Sequence, residues 1–501
     1  MQATTLNRPK LEKSELEEHF SKFRKNIIGI DQTFEGPYGV KKIMYADWIA
    51  SGRLYEPIEK LLKDDLGRYV ANTHTETSFT GTVMTKAYHE AKVLIKEHVN
   101  AKSTDALIPV GTGMTGAVLK LQRMLGLKVP ERFQQSVTLH GDDLPVVFIS
   151  HMEHHSNQTS WLETVAEVIV INADDDGLMN LDHLKTLMEQ YKSRKVKIAS
   201  ITSCSNVTGI STPYYDVAKI MHQNGGYCFV DFACSGPYVE IDMHPEDEEC
   251  KLDAIFFSPH KFLGGPGTPG VLVFCSSLYT NKVPDQPGGG TVSWTNPWGG
   301  HSYFADIETR EDGGTPGFLQ TIKAALAIKL KDEMGVKEMH DRENEIVQYT
   351  LSRMSTIPGM NILAGNIHDR LGAISFYVDD LHFNLYVKLL NDMYGIQVRG
   401  GCSCAGTYGH YLLHVTEDMS REVTTMIDHG DLSRKPGWVR LSLHPTMTNA
   451  EVEMICDAIE DIALNHNKYK KDYEYHCKTN EYEHKTFKGR EEQIVNDWFG
   501  K

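Results

Sequence analysis

The sequence lacks the features that place a protein in or across a membrane. None of its apolar runs approaches the roughly 18 residues that a transmembrane helix needs. The first five residues contain no apolar core of a secretory signal, and early acidic residues such as Glu12, Glu15 and Glu17 argue against a transit peptide. We therefore expect a soluble, cytoplasmic protein without a membrane partner.

Positive charge is also in short supply. The 501 residues include 51 Lys and Arg against 67 Asp and Glu, a formal net charge of -16. This balance argues against nucleic acid or an anionic membrane as the main partner. The nine cysteines are scattered and odd in number, so we expect a reducing compartment with free or catalytic thiols.

Helical and strand patterns alternate from about residue 79 onward. Apolar runs predict strands at 106–110, 146–149, 168–171, 198–202, 227–231, 254–257 and 271–275, with helices at 83–99, 116–125 and 214–223. Strands this apolar, alternating with helices, predict an α/β fold with a largely parallel sheet covered on both faces. Ligands of such sheets bind outside the carboxyl ends of the strands, so we look for chemistry in the turns that follow them.

The most informative of these turns contains Lys261. It follows a predicted buried strand as Ser258-Pro259-His260-Lys261, and a segment rich in glycine and proline comes directly after it. A lysine desolvated there has a lowered pKa and can form a Schiff base. Taken alone, a surface lysine in a turn explains the same residues.

Four other turns carry polar residues at strand ends. A glycine turn at 111–115 leads into a helix N-terminus that favours a phosphate, and a histidine-rich turn covers 150–157. An amide follows in 203–209 and a carboxylate, Asp231, in 231–236. We predict no metal site, because His151, His154 and His155 have no matching cysteine pair. A phosphate cradle, an aromatic face, an amide, a carboxylate and a lysine are together what pyridoxal phosphate (PLP) needs.

The order and spacing of these motifs resemble the class V aminotransferases of PLP fold type I. Within that class the chain resembles group II cysteine desulfurases and selenocysteine lyases, from about Tyr45 to about Ile462. The most specific match is the family's Ser-x-His-Lys at Ser258 to Lys261. The resemblance implies a large domain with a mainly parallel seven-stranded sheet, a smaller α+β domain, and a homodimer.

The resemblance also assigns roles to individual residues. Lys261 would carry the cofactor, His154 would lie over its ring, Asn206 would face its hydroxyl and Asp231 would pair with its ring nitrogen. The implied cofactor-binding set is Gly113, Met114, Thr115, His154, Asn206, Asp231, Cys234, Ser258, His260, Lys261 and Thr291. The implied substrate-binding set is Arg440, Asn206, Ala50 and His74, with Arg440 gripping a carboxylate as a bidentate fork.

Two positions depart from the family's pattern. The family usually has a glutamine three residues after the aspartate, where this chain has Cys234, a much weaker donor. An arginine often follows the equivalent of His74, where this chain has Thr75. The departures concern the tuning of the cofactor and a contact across subunits.

A second centre lies at residues 399–410, where small residues surround Cys402 and Cys404. On the residues alone, the pair is incidental, or redox or metal-binding, or includes a nucleophile. The resemblance places Cys404 as the nucleophile, because Arg399-Gly-Gly-Cys-Ser-Cys404 fits the group II pattern Arg-x-Gly-x-x-Cys. Cys402 and Ser403 stand where the family has paired histidines, and Cys402 would relay sulfur or link reversibly with Cys404.

These features predict a PLP-dependent cysteine desulfurase with Lys261, Cys404 and His154 as catalytic residues. It would convert L-cysteine or a similar amino acid to alanine and leave a persulfide on Cys404 for an acceptor protein. Another class V activity and a non-catalytic thiol or metal scaffold are the alternatives. We predict an N-terminal helical segment at 1–44, a large domain at 45–316, a small domain at 317–465 and a charged extension at 466–501.

Overall fold

The computed structural model describes residues 10–12 and 14–501, so residues 1–9 and 13 of the predicted N-terminal segment lie outside it. The strands are β1 Thr33–Gly36, β2 Gly39–Lys42, β3 Met44–Tyr45, β4 Ala106–Val110, β5 Val146–Ser150, β6 Glu167–Ile171, β7 Lys197–Thr202, β8 Tyr227–Asp231, β9 Ala254–Phe257, β10 Gly270–Phe274, β11 Val292–Thr295, β12 His301–Tyr303, β13 Met360–Ile362, β14 Ala373–Val378, β15 Ile396–Gln397, β16 Arg399–Gly401, β17 Trp438–Ser442, β18 Tyr473–His476 and β19 Glu481–His484.

Helices connect and cover these strands. They are α1 Glu15–Arg24, α2 Glu56–Lys60, α3 Phe79–His98, α4 Gly113–Met124, α5 His155–Leu162, α6 Leu181–Gln190, α7 Tyr214–Gln223, α8 Ile307–Glu311, α9 Phe318–Met334, α10 Val336–Met354, α11 Phe383–Leu389, α12 Gly406–Leu412, α13 Glu417–Asp428, α14 Asn449–Tyr469 and α15 Glu491–Trp498. Within residues 10–12 and 14–501, no helix has the length and apolar character that crossing a bilayer requires.

The described chain forms two compact units. The large unit comprises Ile49–Asn206 and Ile210–Val336; the small unit comprises the described residues up to Trp48, Val207–Gly209 and Lys337–Lys501. The domain boundaries predicted from the sequence stay predictions.

The large unit is built on a seven-stranded sheet in the order β4-β10-β9-β8-β7-β5-β6. β6, β5, β7, β8 and β9 run parallel, and β10 is antiparallel to both of its neighbours. Every residue of β5, β7, β9 and β10 is buried, which is why these strands read as continuous apolar runs. The predicted α/β class and mainly parallel sheet are confirmed.

One face of that sheet packs against α4 and α5. Met114, Val118 and Leu121 of α4 join Trp161 of α5 and Phe229 of β8 in one buried cluster. Because the apolar face of α4 packs against the apolar face of the sheet, the position at which α4 begins is fixed. The same packing therefore also fixes the loop between β4 and α4 at the carboxyl end of β4.

The small unit contains a four-stranded antiparallel sheet in the order β13-β14-β17-β16. β17 is buried along its whole length, and α14 begins with a capping box between Thr448 and Glu451. α1 belongs to this unit, and Ser14 is its N-cap. The tail beyond α14, which the sequence left without an assigned role, contains the β18–β19 hairpin and α15.

Candidate active site

The N-terminus of α4 meets the end of β9 in the large unit. The backbone N–H of Met114 donates a hydrogen bond of 2.8 Å to Ser258 Oγ. Gly113 has a φ of 60°, and a Cβ there would lie 3.0 Å from the same Ser258 oxygen. A Cβ on Gly270 would lie only 1.9 Å from the Gly113 carbonyl oxygen, so that position accepts only glycine. Three segments, at Gly113, Ser258 and Gly270, therefore converge at the place where the sequence predicts a phosphate cradle.

Thr115 and His260 border this cradle. The exposed Thr115 bonds through its hydroxyl to Ser156 Oγ at 2.7 Å. His260 Nε2 would lie 3.8 Å from a Cβ on Gly113. Burial, and secondarily the charge of Lys261, lowers the pKa of His260 to about 4, so its imidazole is neutral at neutral pH. Lys261 is therefore the charged side chain of this segment that an anion would meet.

Asp231 and Lys261 follow neighbouring parallel strands, β8 and β9. Asp231 is 3% exposed and accepts a hydrogen bond of 2.7 Å from the Ala233 N–H. Burial raises the pKa of Asp231 to about 6, while the Ala233 hydrogen bond and the charge of Lys261 oppose that rise. The buried carboxylate of Asp231 therefore interacts electrostatically with Lys261. Both residues stand out in the sequence because each lies at or just after the end of a predicted strand.

His154 caps the N-terminus of α5. Its Nδ1 accepts a hydrogen bond of 3.1 Å from the Ser156 N–H, so in the neutral ring the proton is on Nε2. The imidazole is half-buried at the carboxyl end of β5, on the edge of the sheet where Asp231 also lies.

Glu153 was given no role in the predicted site, yet it ties two strand ends together. Its carboxylate accepts hydrogen bonds from the Ser150 hydroxyl at 2.6 Å, the Thr202 N–H at 2.9 Å and the Asn157 amide at 2.8 Å. Burial raises its pKa to about 7. The only sequence signal for this role was its place directly before His154.

Asn206 and Cys234 lie in adjacent buried turns. The Cys234 thiol donates to the Ser205 carbonyl at 3.6 Å, and its sulfur lies 3.9 Å from that of Cys204. Asn206, the next residue after Ser205, is 6% exposed. The predicted cofactor contact Cys234 therefore has a second thiol beside it, that of Cys204, which no sequence motif indicated.

Ala50 lies beside the lysine segment. The next two residues bind the His260 carbonyl: the Ser51 hydroxyl donates at 3.4 Å and the Gly52 N–H at 3.0 Å. A Cβ on Gly52 would lie 2.0 Å from the Phe262 carbonyl oxygen. The backbone segments at Gly52 and Phe262 are therefore in such close contact that no side chain fits between them.

His74 and the loop before Thr291 lie in a different part of the large unit. Both border a cavity of about 760 Å³ that also contains Tyr88 and Asp312. The Thr291 hydroxyl closes its own turn, donating to the Gly288 carbonyl at 2.7 Å and accepting from the Gly288 N–H at 3.1 Å. His74 is exposed, with a φ of 63°.

In the small unit, Cys404 is exposed on a loop between β16 and α12. Ser403 and Cys404 both have positive φ, 50° and 57°, which is uncommon for residues other than glycine. Ser403 is anchored beneath the loop, because its hydroxyl accepts a hydrogen bond of 3.2 Å from the buried Trp438 indole. This anchor holds a strained turn that presents the thiol of Cys404 outward.

Arg440 lies in the centre of the same unit, on β17. It is 2% exposed, and its Nη2 donates to Asp47 Oδ1 at 2.7 Å. Arg399 is directly opposite Arg440 in the β16–β17 register and donates to Asp47 Oδ2 at 3.1 Å. Asp47 therefore neutralises two facing arginines, a role that no local pattern in the sequence indicated.

Solved structures with this fold include cysteine desulfurases. The apo cysteine desulfurase from Thermococcus onnurineus NA1 superposes with a TM-score of 0.71 at 21% identity, covering 88% of this chain and 98% of that one. The cysteine desulfurase CsdA of Escherichia coli, in its S-sulfonic acid form, gives a TM-score of 0.68 at 20% identity, covering 89% and 98%. At these identities the likeness establishes the fold alone.

Sequence similarity is more specific. The model of the family "Aminotransferase class-V" matches residues 44–455, so the chain belongs to that family. A probable cysteine desulfurase of Staphylococcus epidermidis is 30% identical over 369 residues, 73% of this chain and 84% of that protein. A probable cysteine desulfurase of Halalkalibacterium halodurans is 29% identical over 380 residues, 75% and 86%. The predicted family is confirmed, and the tail from residue 456 lies outside the match.

Proposed function

We propose that this protein is a PLP-dependent cysteine desulfurase. It converts L-cysteine to L-alanine and transfers the sulfur to Cys404, which becomes a persulfide. The buried Asp231 in electrostatic contact with Lys261, beside the Met114–Ser258 cradle, is the observation that carries the proposal. The naming of relatives as probable cysteine desulfurases supports it.

Residues of the large unit match three parts of PLP, namely its phosphate, its ring nitrogen and its aldehyde. A Cβ at Gly113 would crowd Ser258, so glycine leaves room where the phosphate would lie, at the N–H groups that begin α4. A carboxylate as buried as Asp231 needs a positive partner, and a protonated ring nitrogen supplies one. Lys261 Nζ would hold the aldehyde carbon, His154 would cover the ring, and Asn206, Cys234, Ser258, His260 and Thr115 would complete the contacts.

When bound, PLP supplies an electron sink for charge that develops on the substrate α-carbon. Lys261 Nζ then serves as the base that takes the α-proton. Neutral His260 adds no positive charge to the surroundings of that amine. Glu153 orients His154 through its bonds to Ser150 and Thr202.

Two further residues are assigned to the carboxylate and the sulfur of the substrate. We assign the substrate carboxylate to Arg440, since a guanidinium has five N–H donors and can bind Asp47 and a second carboxylate together. Ala50 and His74 would border the substrate. The Cys404 thiolate attacks the substrate sulfur, so L-cysteine and one thiol give L-alanine and one persulfide.

Three wider features belong to the proposal. The enzyme is a homodimer in which the loop containing Thr291 and the region of His74 complete the partner's site, as the family resemblance implies. It is cytoplasmic, and it passes sulfur to an acceptor. Its large excess of acidic residues makes nucleic acid an unsuitable partner.

Two variants test the proposal. We expect purified protein supplied with PLP to absorb near ~420 nm, as a lysine-bound cofactor does, and Lys261→Ala to lose that band. We expect L-cysteine to yield alanine, with Cys404→Ala retaining the absorbance but forming no alanine. A protein that binds PLP and ignores L-cysteine would contradict the desulfurase activity, and one that cannot bind PLP would contradict the whole proposal.

A further inference from the structure

A cavity of about 730 Å³ opens beside the cysteine loop of the small unit. One wall consists of β16 and the loop after it, including Arg399, Cys402 and Cys404. The opposite wall is formed by residues 479–483 of the β18–β19 hairpin, and Asn384 of α11 lies between the two walls. Both cysteines of the loop therefore face a space of the size that small-molecule ligands occupy.

The hairpin wall belongs to the C-terminal tail, which lies outside the family match of residues 44–455. It is also firmly attached. The Asn384 amide donates to the Asn480 carbonyl, the Tyr475 hydroxyl donates to the Asn480 amide oxygen at 2.8 Å, and the Leu432 N–H donates to the Cys477 carbonyl at 2.9 Å. Asn480 is 7% exposed, so the turn of the hairpin is packed against the unit.

The hairpin is further held by aromatic contacts. The His382 ring lies 5.3 Å from that of Tyr475 and 5.4 Å from that of Tyr482, centroid to centroid. Tyr482 lines the cavity itself. Such contacts fix a wall rather than leave a loose tail over the opening.

The side chains that line the cavity include positively charged, negatively charged and amide groups. Lys435 and Glu481 line it, and neither side chain forms an ion pair with any residue that the structure describes. Arg399 is 47% exposed in its side chain and is held in place by Asp47. A lining that combines both charges with amide groups matches a zwitterionic or peptide-like molecule better than an apolar one.

We propose that this cavity binds a low-molecular-weight thiol of amino-acid or short-peptide size, which removes the sulfur from Cys404. The inference rests on the proposed desulfurase function and names its acceptor. A concave site between two walls has the shape and size that suit a small thiol.

The transfer balances without an added oxidant or reductant. The acceptor thiolate attacks the outer sulfur of the Cys404 persulfide, the bond between that sulfur and Cys404 Sγ breaks, and a new S–S bond forms. The products are the acceptor persulfide and the Cys404 thiolate. The negative charge passes from acceptor to enzyme, and the transferred sulfur keeps its oxidation state.

Adjacent residues of the hairpin turn provide a matched pair of variants. Thr479 lines the cavity and is exposed, so Thr479→Trp fills the space without disturbing the core. Lys478 is its exposed neighbour in the same turn and is not among the lining residues, so Lys478→Trp adds the same bulk outside the cavity. Both are compared with wild-type holoenzyme.

The kinetic experiment starts from enzyme loaded with one equivalent of L-cysteine and measures loss of the Cys404 persulfide at increasing glutathione. We expect a saturable rate, with Thr479→Trp raising the half-saturating glutathione concentration by about tenfold or more, corresponding to about 1.4 kcal/mol. Loading of the persulfide by L-cysteine stays unchanged in both variants, and Lys478→Trp behaves as wild type. Equal glutathione dependence in wild type and Thr479→Trp, or an equal loss in both variants, would overturn the inference.

A binding experiment separates this inference from the proposed function. S-methylglutathione cannot accept sulfur, so its binding to holoenzyme, measured by calorimetry, does not depend on desulfurase activity. We expect binding to wild type and Lys478→Trp that is lost in Thr479→Trp and weakened in Lys435→Ala. Absence of binding to wild type would refute the acceptor site even if alanine is formed, whereas binding without any alanine would refute only the desulfurase function.

Discussion

Asp47 forms ion pairs with two arginines of the small unit. It is the shared partner of Arg440 and Arg399, which face each other across β16 and β17. The Arg440 side chain is 3% exposed and that of Arg399 is 47% exposed, so water screens one arginine and not the other. Removing the carboxylate takes an ion-pair partner away from a buried positive charge, which is costly.

We expect Asp47→Ala to lower the free energy of unfolding by about 3 kcal/mol, because it removes an ion-pair partner of the buried Arg440. Arg399→Ala is the control; it removes a half-exposed partner and should cost about 1 kcal/mol or less. Urea unfolding of both variants measures the difference. Equal costs would mean that Asp47 does not stabilise Arg440.

Glu153 makes stability depend on pH. Burial raises its pKa from 4.5 to about 7, so the folded state holds this proton more tightly than the unfolded chain between those values. The stabilisation from this group is therefore present below pH 4.5 and is lost as the pH rises through about 7.

Glu153→Gln removes the titration, although its amide would oppose the Asn157 amide and cost about 1–3 kcal/mol. We expect the difference in melting temperature, wild type minus variant, to shrink as the pH rises from 4.5 to 7. Asp231 titrates in both proteins and cancels in the difference. A constant difference across this range would show that Glu153 does not titrate there.

Local sequence predicts residues of this site only where they follow a strand end. Lys261 and Asp231 were identifiable because apolar strands lead directly into them. Asp47 and Cys204 were not, because their partners are hundreds or tens of residues away and no spacing records the contact. The roles of Arg440 and Cys404 came from resemblance, and they stay proposals.

At the scale of elements, the junction of α4 with β10 decides whether the cradle exists. Gly270 begins β10 at the point where the carbonyl of Gly113 passes, and a Cβ there would lie 1.9 Å from that oxygen. Gly111 belongs to the same loop, but a Cβ on it would meet nothing within 4 Å.

We expect Gly270→Ala to destabilise the protein by about 3 kcal/mol, because the strand and the helix N-terminus must separate. PLP affinity should fall with it. Gly111→Ala should change stability by about 0.5 kcal/mol or less, because the added methyl meets open space. Thermal unfolding and PLP titration test both; tolerance of Gly270→Ala would contradict the close approach.

Elements with strong periodicity were predicted well. The helix at Tyr214–Gln223 and the strands Tyr227–Asp231 and Ala254–Phe257 have the predicted bounds, because turn residues such as Pro213, Gly225 and Pro259 lie at their ends. The β18–β19 hairpin was missed. Its strands alternate tyrosine with charged residues, and the exposed charge of the tail obscured the pattern of period two.

At the scale of the whole molecule, we expect a homodimer. The β11–β12 hairpin exposes Trp298 at 88% and Trp294 at 53%, and exposed aromatic side chains this close together mark an interface. Sedimentation equilibrium should give twice the chain mass of 56.5 kDa. Replacing both tryptophans with serine should shift the protein toward monomer, and a wild-type monomer at micromolar concentration would contradict the assignment.

The most direct test of the central claim is the mass of the peptide containing Cys404 after holoenzyme meets one equivalent of L-cysteine. We predict the addition of a single sulfur atom at Cys404, one alanine released per sulfur, and neither product in Cys404→Ala. Cys402→Ala should still acquire the sulfur. Alanine formation in Cys404→Ala, or sulfur found on another cysteine of that variant, would contradict the account of this protein as a desulfurase that works through Cys404.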